Sequence, residues 1–282
     1  MQAQKCLELK IDGVAMDEEA FASLAESQQA LGVSLESDVD SGVETHIAWF
    51  EVAEDEQLQR AQLAAAALLA GARSGQVQIN ALGDDWETAW QKNWHAMPVG
   101  KHLCVRPSFC EPLEGDYIDI VLDPGMAFGT GQHPTTRLCL EAIERICDES
   151  PPASLLDMGA GSGLLAIAAG KLGAKGIVAI DNDPISVEAS KVNAGINGVE
   201  LESLLNDTPP EQTFELVVAN ILAGPLIEMA PKLSQCVGKR LILSGLLREQ
   251  VASVSQAYID AGLQVVRSDA MEEWAAVEFR QV

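Results

Sequence analysis

The run Leu155-Leu-Asp-Met-Gly159-Ala-Gly161-Ser-Gly163-Leu-Leu limits what this 282-residue chain can fold into more than any other segment. An apolar strand passes through three alternating glycines straight into a helix. Glycines in such a turn reach dihedral angles closed to other residues and let the backbone approach a ligand. A strand, a tight turn and a helix are the first half of a βαβ unit, whose second strand must return parallel to the first. The chain that follows supplies the return. Helix 164–172 leads to strand GIVAID, helix 184–197 to strand LESLL, strand FELVVAN to helix 225–236, and strand RLILSG to helix 248–261. This alternation predicts an α/β fold with a parallel, doubly wound sheet covered on both faces. Two last strands, near 264–267 and 275–280, are expected to form an antiparallel hairpin at one edge.

The first part of the chain reads differently. KCLELKI, VSLESDV, HIAWFEV and QVQINAL read as strands, with helices over 17–31 and 54–73. The order β-α-β-β-α-β is the ferredoxin-like arrangement, here a smaller α+β domain. Trp86, Trp90 and Trp94 then recur at four-residue spacing, one face of a helix. The expected organisation is a ferredoxin-like substrate-recognition domain over 1–83, a linker helix over 84–97, and the doubly wound domain over 98–282. Two further strands, 102–106 and 117–122, precede the loop Asp123-Pro-Gly-Met-Ala-Phe-Gly-Thr-Gly-Gln-His-Pro-Thr-Thr136 and a helix over 135–146.

Composition excludes several classes. The formal charge is −24, and residues 1–84 alone hold 15 acidic against 4 basic residues. Nucleic acids are gripped by Lys and Arg, so no direct nucleic-acid binding is expected; a basic protein partner suits this charge, as does mere solubility. The longest apolar run, 63–72, is too short to cross a bilayer, and the first residues carry no signal-like pattern. Six scattered cysteines form no C-x-x-C pair and no zinc spacing, so no metal is expected and the thiols read as reduced, which fits a cytoplasmic protein.

Chemistry concentrates at the carboxyl ends of the predicted strands, where ligands bind in such folds. The spacing G-x-G-x-G over Gly159, Gly161 and Gly163 departs from the G-x-G-x-x-G of dinucleotide sites, and Asp157 stands two residues ahead. A turn that need not hold a pyrophosphate can serve a cationic ligand, with Asp157 as a polar or water-mediated contact. This is the pattern of class I, Rossmann-like methyltransferases, whose methyl donor is S-adenosylmethionine. Asp181, at the tip of the second strand, is placed to accept bonds from both ribose hydroxyls. Asp183, directly before Pro184, caps the next helix. Asn206 and Asp207 end the third strand, where adenine is usually met. Asn220 ends FELVVAN; its carbonyl can take a hydrogen bond from an incoming amine and aim the nitrogen lone pair at a methyl group, the expected catalytic role. In the 123–136 loop, Phe128 is expected to cover apolar cofactor surface and a Thr hydroxyl to sit near the methionine carboxylate. His133 reads as packing or capping, since nothing near it in sequence would orient a base.

The segments DPGMAFGTGQHPTT, LLDMGAGSGLLAIAAGKLGA, IDNDP and VVANILAGPL together resemble the bacterial ribosomal protein L11 methyltransferases, over most of residues 84–282. The resemblance implies N-methylation of lysine side chains and of the α-amino group of ribosomal protein L11. By motif position it places cofactor contacts on Thr136, Gly159, Asp181 and Asn220. A lysine methyltransferase of another soluble protein, or a non-catalytic acidic chaperone of a basic ribosomal protein, are the alternatives. The intact set Gly159, Gly161, Gly163, Asp181 and Asn220 argues against the second.

Overall fold

Inward and outward side chains alternate along β1 (Cys6–Asp12): Leu7, Leu9 and Ile11 are buried, whereas Glu8 and Lys10 are partly exposed. Such a strand hides one face, and two helices cover it. α1 (Glu18–Ser27) contributes Phe21 and Leu24 to the same core, and α2 (Glu56–Leu69) contributes Leu63 and Ala67. β1 pairs antiparallel with β3 (Glu44–Glu51) and β4 (Val77–Leu82), and β2 (Gly32–Ser37) pairs with β3. The sheet order β2-β3-β1-β4 is the ferredoxin-like one expected from sequence. α1 is shorter than the predicted 17–31, because the chain turns at Gln29 (φ 56°) and Ala30 N–H closes onto the Ala25 carbonyl. α2 starts where Asp55 accepts from Leu58 N–H at 2.9 Å.

This computed structural model describes residues 6–12, 18–37, 44–53, 55–82, 95–123 and 133–281. The chain divides into two units, Met1–Trp94 and His95–Val282. Trp86, Trp90 and Trp94 lie outside the described residues, as does most of the expected linker helix. Its last position, Met97, is already extended in β5 (Met97–Val99).

In the second unit β5, β6 (Leu103–Arg106) and β7 (Ile118–Val121) form a small three-stranded sheet. β5, three residues long with a proline at its centre, had no legible sequence pattern. α3 (Pro134–Glu149) follows, then β8 (Leu155–Met158), α4 (Leu164–Lys171), β9 (Ile177–Asp181), α5 (Pro184–Asn197), β10 (Leu201–Leu205) and β11 (Phe214–Asn220). α6 (Ala223–Leu233), β12 (Val237–Leu247), α7 (Val251–Asp260), β13 (Leu263–Met271) and β14 (Trp274–Gln281) complete it. The large sheet runs β10-β9-β8-β11-β12-β14-β13. Five strands are parallel, and β14 and β13 form the expected antiparallel hairpin, each strand longer than predicted.

Because strand side chains alternate, consecutive residues feed opposite cores. Leu155, Val218 and Ile242 pack with α3, α4 and α5, and Leu156, Val217 and Leu243 with α6 and α7. Two carboxylates on α3's side of the sheet hold its margins. Glu144, 4% exposed, accepts from Lys101 N–H (2.8 Å) and His102 N–H (2.6 Å), closing the turn between β5 and β6. Glu278 of β14, also 4% exposed, sits between Arg145 (2.7 Å) and Arg240. Cys6, Cys104, Cys139, Cys147 and Cys236 are buried and unbridged. No described helix is long and apolar enough to cross a membrane.

Candidate functional site

β8 and β11 are adjacent in the sheet, yet the chain leaves β8 toward β9 on one side and reaches β12 on the other. The two connections diverge between these strands, and that divergence opens a crevice at their carboxyl ends, the usual ligand position in doubly wound sheets. Everything predicted from the glycine segment, Asp181 and Asn220 lies at this edge.

β8 is buried on every residue and delivers the chain into the turn Gly159–Gly163. Gly159 (φ 77°) and Gly163 (φ 80°) both need the left-handed backbone, and neither has space for a side chain. A Cβ at Gly159 would strike Ile221, and one at Gly163 would strike Ser190. The requirement for glycine here thus comes from the protein's own packing. Gly161 (φ 53°) sits between them.

The turn is fastened to β9. The Ile180 carbonyl accepts from Gly159 N–H (2.8 Å) and Ala160 N–H (3.1 Å). Asp181, half-buried at the tip of β9, accepts from Gly161 N–H (2.8 Å) on one carboxylate oxygen and from Asp183 N–H (3.0 Å) on the other. Each oxygen keeps a further lone pair, so the carboxylate can still take hydroxyl donors. Asp183 caps α5 as expected, through Ile185 and Ser186 N–H. Asn206, after β10, is exposed, and its side-chain carbonyl is engaged by Asp207 N–H (2.9 Å).

Asp157 is fully buried on the α4 side of β8. One carboxylate oxygen accepts Ala166 N–H (3.1 Å), satisfying a donor in the first turn of α4; the other has no partner within the protein. Burial pushes its carboxyl up to about 7, with the Asp181 charge adding to the effect and the Ala166 bond opposing it. An unpartnered carboxylate oxygen behind a glycine turn fits a cationic ligand. It is also costly without one.

Asn220, partly buried at the end of β11, donates from Nδ2 to Thr136 Oγ1 at 3.4 Å. The structure thereby joins two residues 84 apart that the sequence reading had assigned to one site. With the amide nitrogen turned to Thr136, the side-chain carbonyl of Asn220 is left to receive a donor. Thr136 itself is 1% exposed, in the first turn of α3. His133 caps that helix: its Nδ1 accepts from Thr135 N–H (3.3 Å), and its ring meets Trp274 edge-on at 4.7 Å. The capping or packing role expected of it is the one observed. Phe128 lies outside the described residues.

One participant escaped the sequence reading. Asn193, in α5, donates to the Ser162 carbonyl at 2.8 Å and holds the far side of the turn. Its signal was a run of polar residues, Ser190, Asn193 and Asn197, on a helix face that should be apolar.

Known proteins resemble this chain over most of its length. The model of the ribosomal protein L11 methyltransferase family (PrmA) matches residues 4–282. A ribosomal protein L11 methyltransferase of Shewanella sediminis is 38% identical over 270 residues, covering 89% of this chain and 91% of the relative. That of Actinobacillus succinogenes is 45% identical over 198 residues, 68% of this chain and 67% of the relative. Among solved structures, a ribosomal protein L11 methylase from Lactobacillus delbrueckii subsp. bulgaricus superposes with a TM-score of 0.61 at 33% identity, covering 67% of this chain and all of that one.

Proposed function

Because the chain belongs to the ribosomal protein L11 methyltransferase family, we propose that it methylates lysine side chains and the N-terminal α-amino group of ribosomal protein L11. S-adenosylmethionine is the donor and supplies an electrophilic methyl carbon on a sulfonium. Asp181 would take the ribose hydroxyls and the turn Gly159–Gly163 would let the backbone approach the cofactor, with Thr136 and, through water, Asp157 toward its methionine end.

The observation that carries the chemistry is the Asn220–Thr136 contact at the carboxyl edge of β11. An amine attacks only when neutral, and a lysine in water has a pKa of about 10.4. The site must therefore receive the amine with its lone pair free. The Asn220 carbonyl accepts one N–H bond and so directs that lone pair along the line of transfer. A nitrogen–carbon bond forms as the sulfur–carbon bond breaks, a neutral thioether leaves, and the extra proton passes from nitrogen to water. Desolvation and water are the proposed route for the proton.

The ferredoxin-like unit is proposed to dock the substrate, since its composition is acidic and ribosomal proteins are basic as a class. Such a protein would work in the cytoplasm, where ribosomal proteins are made. The test is incubation of the full chain with labelled S-adenosylmethionine and purified L11, followed by peptide mapping. Label on lysine and α-amino nitrogens supports the reading. Label only on another protein of a cell extract would replace the substrate, and label on a non-amino atom would overturn the role given to Asn220.

A further inference from the structure

Three of the five residues of Gly159–Gly163 have no side chain, so most of what fastens the turn must come through its backbone. One bond lies within the turn, from Gly163 N–H to the Ala160 carbonyl (2.8 Å), and others come from neighbouring elements. β9 supplies one side through Ile180 and Asp181, as described. On the opposite side, Asn193 Nδ2 donates to the Ser162 carbonyl at 2.8 Å.

Asn193 is itself held by the same helix face. One turn further on, Asn197 donates from Nδ2 to the Asn193 carbonyl (2.8 Å) and to the Val121 carbonyl (2.7 Å), while its Oδ1 accepts Val121 N–H (2.8 Å). With both backbone groups of Val121 engaged, the amide of Asn197 pairs with the end of β7 as a neighbouring strand would. Asn197 is 7% exposed. A buried amide side chain costs stability unless its donors and acceptors are used, and apolar residues would fill this face at no such cost. The bonds made here all end on the backbone of the glycine turn, of β7 or of α5 itself. Packing alone gives no reason for them.

We infer that Asn193 is a positioning residue for the cofactor turn, and that Asn197 acts through it by anchoring α5 to the end of β7. The inference rests on the reading that this turn holds S-adenosylmethionine. Without Asn193, the Ser162 carbonyl loses this donor, while the Gly163 N–H keeps its bond to the Ala160 carbonyl (2.8 Å) and the tethers to β9 remain.

The test uses the full chain with Asn193→Ala and Asn193→Asp. In the cofactor-free protein, amide hydrogen exchange over 159–163 should quicken in both variants while exchange in β8 and β11 stays as in the wild type. Calorimetric titration should show S-adenosylmethionine binding weakened about fivefold in Asn193→Ala, the worth of one neutral hydrogen bond. Asn193→Asp keeps the shape but turns the donor into an acceptor, so at about pH 8 it should bind at least as poorly. Adding Asn197→Ala to Asn193→Ala should weaken binding no further, the non-additivity expected of residues acting in series. Unchanged exchange in the turn or wild-type affinity in both variants would overturn the inference. A wild-type chain that fails to bind S-adenosylmethionine would instead overturn the cofactor assignment, and the exchange measurement would still decide the role of Asn193.

Discussion

Replacing Asp157 by Asn should stabilise the cofactor-free protein in mild alkali and not in acid. The Asp157 carboxyl titrates at about 7 in the fold, against 3.8 for an ordinary Asp. At roughly 1.4 kcal/mol per pH unit, that gap corresponds to a penalty of about 4 kcal/mol for holding the buried charge. The sign follows from proton binding. Below about pH 4 the carboxyl is protonated in both states, and no penalty exists. Between about pH 4 and 7 only the unfolded chain ionises, so the native state loses stability as pH rises; above about 7 the whole penalty is present. Asn removes that charge, and its carbonyl can still accept Ala166 N–H. Its NH2, however, inherits the side of the carboxylate that has no partner, at a cost of about 1–3 kcal/mol. The net expectation is a gain of about 1–3 kcal/mol at pH 8 and a loss of similar size at pH 4. Urea unfolding of both proteins at the two pH values measures this through the shift in midpoint at constant slope. An equal shift at both pH values would refute the raised carboxyl. The variant should also bind S-adenosylmethionine more weakly, since strain of this kind is kept where a ligand relieves it.

Three other outcomes follow from the geometry. Asn220→Ala should lower methyl transfer roughly 100-fold, as misplacement of a reacting group does, while the unfolding midpoint stays nearly fixed; wild-type turnover would remove Asn220 from the chemistry. Glu278→Ala removes the buried carboxylate shared by Arg145 and Arg240, which keep Asp269 and Glu149, and should destabilise the protein by about 1–3 kcal/mol in urea unfolding. A chain starting at His95 should bind S-adenosylmethionine in calorimetry yet lose most activity on L11, because binding energy remote from the reacting atoms positions the target amine; full activity would make the ferredoxin-like unit a stability module.

The elements that sequence revealed best are those whose pattern is local. The β-α-β-β-α-β order of the first unit and the strand-turn-helix around Gly159 are written in alternation and glycine spacing, and α5 has both its cap, Asp183, and its stop, Gly198, in the sequence. Asp181 and Asn220 were legible because a residue at a strand's carboxyl tip in this fold faces the crevice. What the sequence withheld depends on partners far along the chain. Asp157 read as a polar or water-mediated contact, but only the packing of α4 against β8 shows that it is fully buried with one oxygen unpartnered. Thr136 came from likeness to a family, since nothing local to it announces a bond to a residue 84 positions away. Asn193 was overlooked because its partner is a backbone carbonyl, which has no identity in sequence. β5 is too short to show a period, and β12 extends to Leu247 because β14 pairs with it there.

The place of β14 has a consequence for synthesis. This strand comes after β13 in the chain but lies between β12 and β13 in the sheet. β13 therefore has no partner when it leaves the ribosome, and the edge of β12 stays open until residues 274–281 emerge. The same eight residues bring Trp274 to the cap of α3 and Glu278 to Arg145 and Arg240. A nascent chain can thus carry every residue assigned to the cofactor site and still have a sheet that cannot close. Folding of the catalytic unit is in effect gated by its final hairpin, and a stall or proteolytic cut before Trp274 should yield an aggregation-prone polypeptide in place of a weakened enzyme.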